Sequence, residues 1–197
     1  KRYWLENHKK IMRIISGKLK GKKLSYINSL NTRPLRDYVR ENIFNLISHG
    51  KKIKLDLNKA NILDLYSGVG SFGIECLSRN VNKVVFVEKD SLALSILKKN
   101  INNLKIGDKT ELISLDIKNY IEKLNSEEKF DLIFLDPPYK DKTYLEIISL
   151  IKNKKIVNKN HKIIIHRESK SQDQINKFLK VDVEKIYGRS KIIFGSF

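Results

Sequence analysis

From residue 60 onward the chain alternates short runs of Ile, Val, Leu and Phe with stretches of helical spacing, and this rhythm restricts its fold more than any other feature. The apolar runs are Asn61–Tyr66, Val84–Glu88, Glu111–Leu115, Asp131–Leu135 and Lys162–His166, with helical patterns such as Phe72–Ser78 and Ser91–Asn102 between them. Strands separated by helices pair in parallel and are covered on both faces. The expected fold is α/β, a doubly wound Rossmann-like sheet of about seven strands. The last two strands break the rhythm. Val183–Tyr187 and Ser190–Phe194 are joined through Gly188-Arg189 with no room for a helix, so they are expected as an antiparallel hairpin at one sheet edge. Ahead of the sheet, Met12–Ser16 and Lys22–Tyr26 flank Gly17-Lys-Leu-Lys-Gly21 and read as a short basic β-hairpin. A helix follows, expected to be capped by Asn31 or Thr32 with Pro34 in its first turn, and with Val39, Ile43, Phe44 and Ile47 on its apolar side. Residues 1–50 are thus expected as a basic extension and 51–197 as the α/β domain.

The first strand of that domain runs into Asp64-Leu-Tyr66-Ser-Gly68-Val-Gly70-Ser-Phe-Gly73. Three glycines at G-x-G-x-x-G spacing, after a strand and before a helix, let the backbone turn sharply and approach a nucleotide-like ligand. Glu88 ends the second strand 20 residues beyond Gly68, where a carboxylate can accept the two ribose hydroxyls. These residues suit either a nicotinamide dinucleotide or S-adenosylmethionine. Asp64, four residues before the first glycine, favours the second, because a carboxylate sits poorly beside a pyrophosphate and well beside an amino-acid tail and a sulfonium. A dehydrogenase would also need a substrate domain, for which there is no room. Asp116, at the end of the third strand, is a candidate acceptor for the adenine amino group or, equally, a helix cap.

The fourth strand runs into Asp136-Pro137-Pro138-Tyr139, the most specific element in the chain. Two prolines remove two backbone donors, so the carbonyls of Asp136 and Pro137 are expected to face outward as acceptors. An exocyclic base amine is a poor nucleophile because its lone pair is delocalised into the ring. Hydrogen bonds from that amine to Asp136 and Pro137 localise the lone pair and stabilise the positive charge that develops on nitrogen. Tyr139 is expected to stack on the target base, which must be unpaired or flipped. The chemistry calls for neither a metal nor a histidine base.

Forty Lys and Arg against 22 Asp and Glu give a net charge of +18, which favours a polyanionic partner. Residues 1–23 carry nine basic side chains, Lys18, Lys20, Lys22 and Lys23 among them, against one acid, Glu6. Cys76 is the single cysteine, too few for a disulfide or a zinc site. No apolar run reaches membrane-span length and the start lacks a secretory pattern, so a soluble, cytoplasmic protein with no membrane partner is expected.

Several blocks, in order, resemble the RsmD-type family of small-subunit ribosomal RNA guanine-N2 methyltransferases, within the class I S-adenosylmethionine-dependent enzymes. They are Met12-Arg-Ile-Ile-Ser-Gly17 through Leu24, Arg33-Pro34 with Asp37, Val39-Arg40-Glu41 and Phe44-Asn45, Asp64 through Arg79, Asp136 through Tyr139, and Tyr187-Gly188. Leu35, Arg36, Tyr38 and Val69 depart from the pattern. The resemblance implies S-adenosylmethionine held by Asp64–Gly70, including Tyr66, and by Glu88, with Asp136–Tyr139 at the target base. It implies a guanine of small-subunit (16S) ribosomal RNA as substrate, within a small ribosomal subunit or its assembly intermediate, without a metal. Arg33 and Arg40 join Lys18, Lys20, Lys22 and Lys23 as expected RNA contacts; the plainer reading makes them part of an ion-paired helix face. The rivals are an adenine-N6 methyltransferase of DNA or RNA, since Asp-Pro-Pro-Tyr serves any exocyclic amine, and a non-catalytic RNA-binding protein on the same fold.

Overall fold

The computed structural model describes residues 12–26, 35–53 and 55–197. A two-stranded ribbon, β1 (Met12–Arg13) and β2 (Lys23–Leu24), precedes helix α1 (Asp37–His49). Then come β3 (Asn61–Leu65), α2 (Ser71–Ser78), β4 (Lys83–Val87), α3 (Ser91–Leu104), β5 (Thr110–Ile113), α4 (Ile117–Lys123), β6 (Phe130–Leu135), α5 (Tyr144–Lys154), β7 (Val157–Glu168), β8 (Lys180–Tyr187) and β9 (Ser190–Ser196). β3 to β9 form one seven-stranded sheet in the order β5-β4-β3-β6-β7-β9-β8. It is parallel except that β9 runs antiparallel to both β7 and β8. The expected sheet and its antiparallel edge are both present.

Each face of the sheet has its own apolar layer. Ile62, Phe86, Phe134, Ile164 and Phe194 pack with α1, α2 and α3, whereas Leu63, Val87, Ile133, Leu135 and Ile165 pack with α4 and α5. Phe72 of α2 stacks on Phe134 with ring centroids 3.9 Å apart and on Phe44 of α1 at 5.3 Å. Met12, Ile14 and Leu24 of the ribbon belong to this same layer.

Three differences from the sequence reading have physical causes. The ribbon's ladder is shorter than expected because its flanking N–H groups turn to the main domain. Ile15 and Ser16 donate to the two oxygens of Glu75, and Ser25 donates to Asn100. β7 begins at Val157, five residues earlier than its apolar run, since Asn158 to His161 hide it; a register shift near Phe130 absorbs the extra length. Helix α1 starts at Asp37 with Arg36 as N-cap and no side-chain cap, so neither Asn31 nor Thr32 caps it and Pro34 does not lie in its first turn. Those three residues themselves lie outside the described ones.

Glu75 fastens the ribbon to the domain. It is fully buried on α2 and takes Arg79 Nε at 3.1 Å, with Arg40 Nε at 3.8 Å. Three residues on, Ser78 Oγ accepts from Leu19 and its carbonyl from Lys18. Gly17, at φ +81°, lies so close to the Ser78 carbonyl that a Cβ would stand 1.9 Å from it. Glu75→Ala leaves buried Arg40 without one of its two carboxylates and three donors unmet. The expected cost is about 3–5 kcal/mol in urea unfolding; a loss under about 1 kcal/mol would show that the ribbon is not held through this carboxylate.

Candidate active site

The sheet reverses its winding between β3 and β6, and the segments leaving those two strands form the walls of a crevice. On the β3 side, Tyr66, Gly68 and Gly70 all have positive φ (57°, 54° and 83°), which folds the chain back into α2. The glycines differ in surroundings. A Cβ on Gly73 would stand 2.4 Å from Phe86, and one on Gly70 2.3 Å from Leu97, so both are needed for helix packing. A Cβ on Gly68 would meet nothing within 4 Å, so this glycine borders open space that a ligand can occupy.

Two carboxylates brace the loop. Asp64, 1% exposed, accepts from Gly73 N at 2.9 Å. Burial pushes its carboxyl well above the usual range, the Gly73 bond opposes this, and the charges of Asp136 and Glu88 push it further up. At 1% exposure Asp64 braces the loop through Gly73 and does not line the open space. Glu88 accepts from Gly68 N at 2.8 Å through one oxygen, and from Lys89 and Asp90 N through the other. The Glu88 oxygen that takes Gly68 N keeps acceptor capacity beside the open space. The Glu88 and Asp136 carboxylates around an open glycine suit a cationic nucleoside and fit a dinucleotide pyrophosphate poorly. Asp116 is exposed, caps α4 through Lys118 N at 3.0 Å and pairs with Lys89 at 3.5 Å.

On the β6 side, Asp136 N donates to Leu65 O, joining the two walls. Among the described residues, the carbonyls of Asp136 and Pro137 accept no hydrogen bond. The next two carbonyls do. Arg167 donates to Pro138 O at 3.1 Å and Tyr139 O at 2.8 Å, and is held in turn by Asp173, which also receives the Tyr144 hydroxyl. This buried guanidinium holds the turn from behind. Tyr139 is half-buried, edge-on to His166 at 6.0 Å. Tyr66, across the crevice, donates its hydroxyl to Asp141 at 3.2 Å, and burial next to that charge raises its pKa.

A histidine, not anticipated, sits on the key carboxylate: His166 Nδ1 lies 2.7 Å from Asp136 Oδ1, and its Nε2 lies 2.9 Å from Ser190 Oγ. The apolar run ends the fifth strand on His166, and no local pattern places that residue beside Asp136. Period-two counting across β6 and β7, with Leu135 opposite Ile165, puts them together.

The expected RNA contacts divide. Lys18, Lys20, Lys22 and Lys23 are exposed, as is Arg13. The turn bearing the first two lies at the Ser78 end of α2, roughly 12 Å of helix from the glycine loop. Arg40 is corrected: it is 0% exposed, paired with Asp37 at 3.0 Å and Glu75 at 3.8 Å and donating to Arg13 O, so it cannot reach RNA. Arg33 lies outside the described residues. Nearer the crevice, Lys140, Lys142 and Arg189 are exposed, basic residues that no motif singled out. Tyr38, a departure from the family pattern, donates its hydroxyl to Tyr187 O.

Fold, loop and turn together define a Rossmann-like α/β domain of the kind seen in methyltransferases. Residues 12–196 match the family described as conserved hypothetical protein 95, and the chain belongs to that family. It is 37% identical over 159 residues to ribosomal RNA small subunit methyltransferase D of Buchnera aphidicola subsp. Acyrthosiphon pisum, covering 80% of this chain and 78% of that one. The protein of the same name from Haemophilus influenzae is 39% identical over 84 residues, 43% of this chain and 40% of that one. A solved structure of a conserved hypothetical protein from Streptococcus pyogenes superposes with TM-score 0.70 at 30% identity, covering 81% of this chain and 96% of that one. Across the first three curated relatives, the matched stretch spans only 32–42% of their length.

The His166–Asp136 pair has a pH signature. Burial lowers the imidazole pKa, but the charge and hydrogen bond of Asp136 together outweigh it, and the net shift is upward from 6.5. A raised histidine adds stability that is complete below the unfolded value and is lost as pH rises through the folded one. Unfolding free energy, relative to Asp136→Asn, is therefore expected to fall from pH 6 to pH 8.5 in urea titrations. Parallel curves for the two proteins would mean that the pair carries no charge coupling.

Proposed function

We propose that this protein methylates the exocyclic N2 amine of a guanine in small-subunit ribosomal RNA, using S-adenosylmethionine. The observation that carries the reading is the paired crevice walls, an open Gly68 beside Glu88 and an Asp136-Pro137 turn whose two carbonyls accept no hydrogen bond among the described residues. Relatives named ribosomal RNA small subunit methyltransferase D support the substrate class, and a more distant neighbour of the same fold is described as complexed with SAH. Bound S-adenosylmethionine supplies an electrophilic methyl group on a positively charged sulfur.

The chain's own residues do the rest. Glu88 receives the ribose hydroxyls, and the negative field of Glu88 and Asp136 favours the sulfonium. Asp136 carboxylate and Pro137 carbonyl accept the amine's two N–H bonds, which aims the nitrogen lone pair at the methyl carbon. The amine nitrogen, once it has taken the methyl, sheds its extra proton to solvent past the partly exposed Asp136 side chain. Tyr139 stacks on the extruded base. The exposed lysines, with Lys140, Lys142 and Arg189 near the crevice, meet phosphates, in the cytoplasm where small subunits are assembled. Among the described residues, no helix is long and apolar enough to cross a membrane.

The test is transfer of a labelled methyl group to small subunits lacking their own modifications, followed by nucleoside analysis. N2-methylguanosine is expected, and Asp136→Ala should lower kcat by on the order of 10³-fold with cofactor affinity within about twofold of wild type. N6-methyladenosine would move the reading to adenine, and no transfer despite cofactor binding would leave an RNA-binding protein. Replacing Lys18, Lys20, Lys22 and Lys23 with Gln should reduce the slope of log affinity against log salt by about 3. An unchanged slope would shift the RNA contact to the crevice-side basic residues.

A further inference from the structure

Asp136, His166 and Ser190 come from the ends of three neighbouring strands, β6, β7 and β9. Leu135 pairs with Ile165, and His166 with Ile192, so all three side chains fall on one sheet face. The atoms run Asp136 Oδ1, His166 Nδ1 at 2.7 Å, then His166 Nε2 and Ser190 Oγ at 2.9 Å. That is the connectivity of a hydrolytic triad, with its polarity reversed. In a hydrolase the serine meets substrate and the carboxylate is buried. Here Ser190 is 7% exposed and His166 4%, while the Asp136 side chain, at 21%, is the open end. The serine cannot attack a substrate; the row acts on the carboxylate.

A carboxylate that must receive an amine needs one oxygen held and the other available. On a strand end it can rotate and offer either. We infer that His166 is a positioning residue for methyl transfer, donating Nδ1–H to Oδ1 of Asp136 so that Oδ2 is kept for the base amine, with Ser190 securing that donor. The inference rests on the assignment of Asp136 as the amine's acceptor. Ser190 is what makes the donor dependable, because a hydroxyl can donate or accept. When the ring is neutral, Ser190 O–H donates to Nε2, so the single ring proton stays on Nδ1. When the ring is charged, Nε2–H donates to Ser190 instead. The bond to Asp136 is the same in both states. Arg167, the next residue on β7, is tied to Asp173 and to the turn carbonyls, so it does not compete for Oδ1.

The test combines nitrogen-15 NMR of the histidine rings in the whole protein with methyl-transfer kinetics. Above its pKa, His166 is expected with Nδ1 protonated and Nε2 bare. His166→Leu should lower kcat on the order of 10²-fold, with affinity for S-adenosylmethionine within about twofold of wild type, which also shows that the variant is folded. His166→Asn, whose amide nitrogen stands where Nδ1 stood, should recover most of the rate. A neutral ring protonated at Nε2, full turnover by His166→Leu, or an Asn variant no better than Leu would each overturn the inference. With wild type active and Asp136→Ala inactive, such a result removes this inference alone. A wild type that transfers no methyl, or an Asp136→Ala that transfers normally, overturns the reading of the site and this inference with it.

Discussion

Leu65 of β3 lies opposite Leu135 of β6 in parallel register, and the next residue of each strand leaves the sheet. Everything at the crevice depends on that pairing. It places the glycine loop and the Asp136-Pro137 turn side by side, joined by the Asp136 N–H to Leu65 O bond. A one-residue slip between the two strands would put Asp64 and Asp136 on opposite faces of the sheet. The register is held by what packs on either side. Phe134 meets Phe72 on one face, and Leu63, Ile133 and Leu135 fill the other.

Around this apolar frame the chain buries charge where two distant segments must be joined. Glu75 ties the N-terminal ribbon to α2, Arg167 ties β7 to the turn after β6, and His166 ties β7 and β9 to Asp136. Each buried charge is costly unless its hydrogen bonds are met. Glu75 meets this with three donors, from Ile15, Ser16 and Arg79, and with the Arg40 charge at 3.8 Å, and Arg167 with three acceptors. Such contacts give little where water competes and much where it is excluded. That is why they sit beneath the ribbon and behind the turn.

What could be read from the residues alone was the part governed by local rules. Apolar runs marked the strands, glycine spacing marked the loop and two prolines marked the turn. Their ends were less legible where polar residues sit in the sheet, as Asn158 and Lys159 do in β7. The partners of the site were hidden for a different reason. Asp136 and His166 are 30 residues apart, Glu75 and Ile15 are 60 apart, and Asn100 and Ser25 are 75 apart. No local pattern reports on such pairs; only the strand register does. Arg40 shows the converse. Its i,i+3 spacing from Asp37 resembles an ordinary surface ion pair, but α1 turns that face onto Glu75.

The measurement that tests the account most directly is a crystal structure with S-adenosylhomocysteine bound. The account predicts the ribose hydroxyls on Glu88, the backbone of Gly68 against the nucleoside, and the sulfur facing Asp136 and Pro137 across the crevice. A ligand seated elsewhere, or with its sulfur turned away from Asp136, would contradict it.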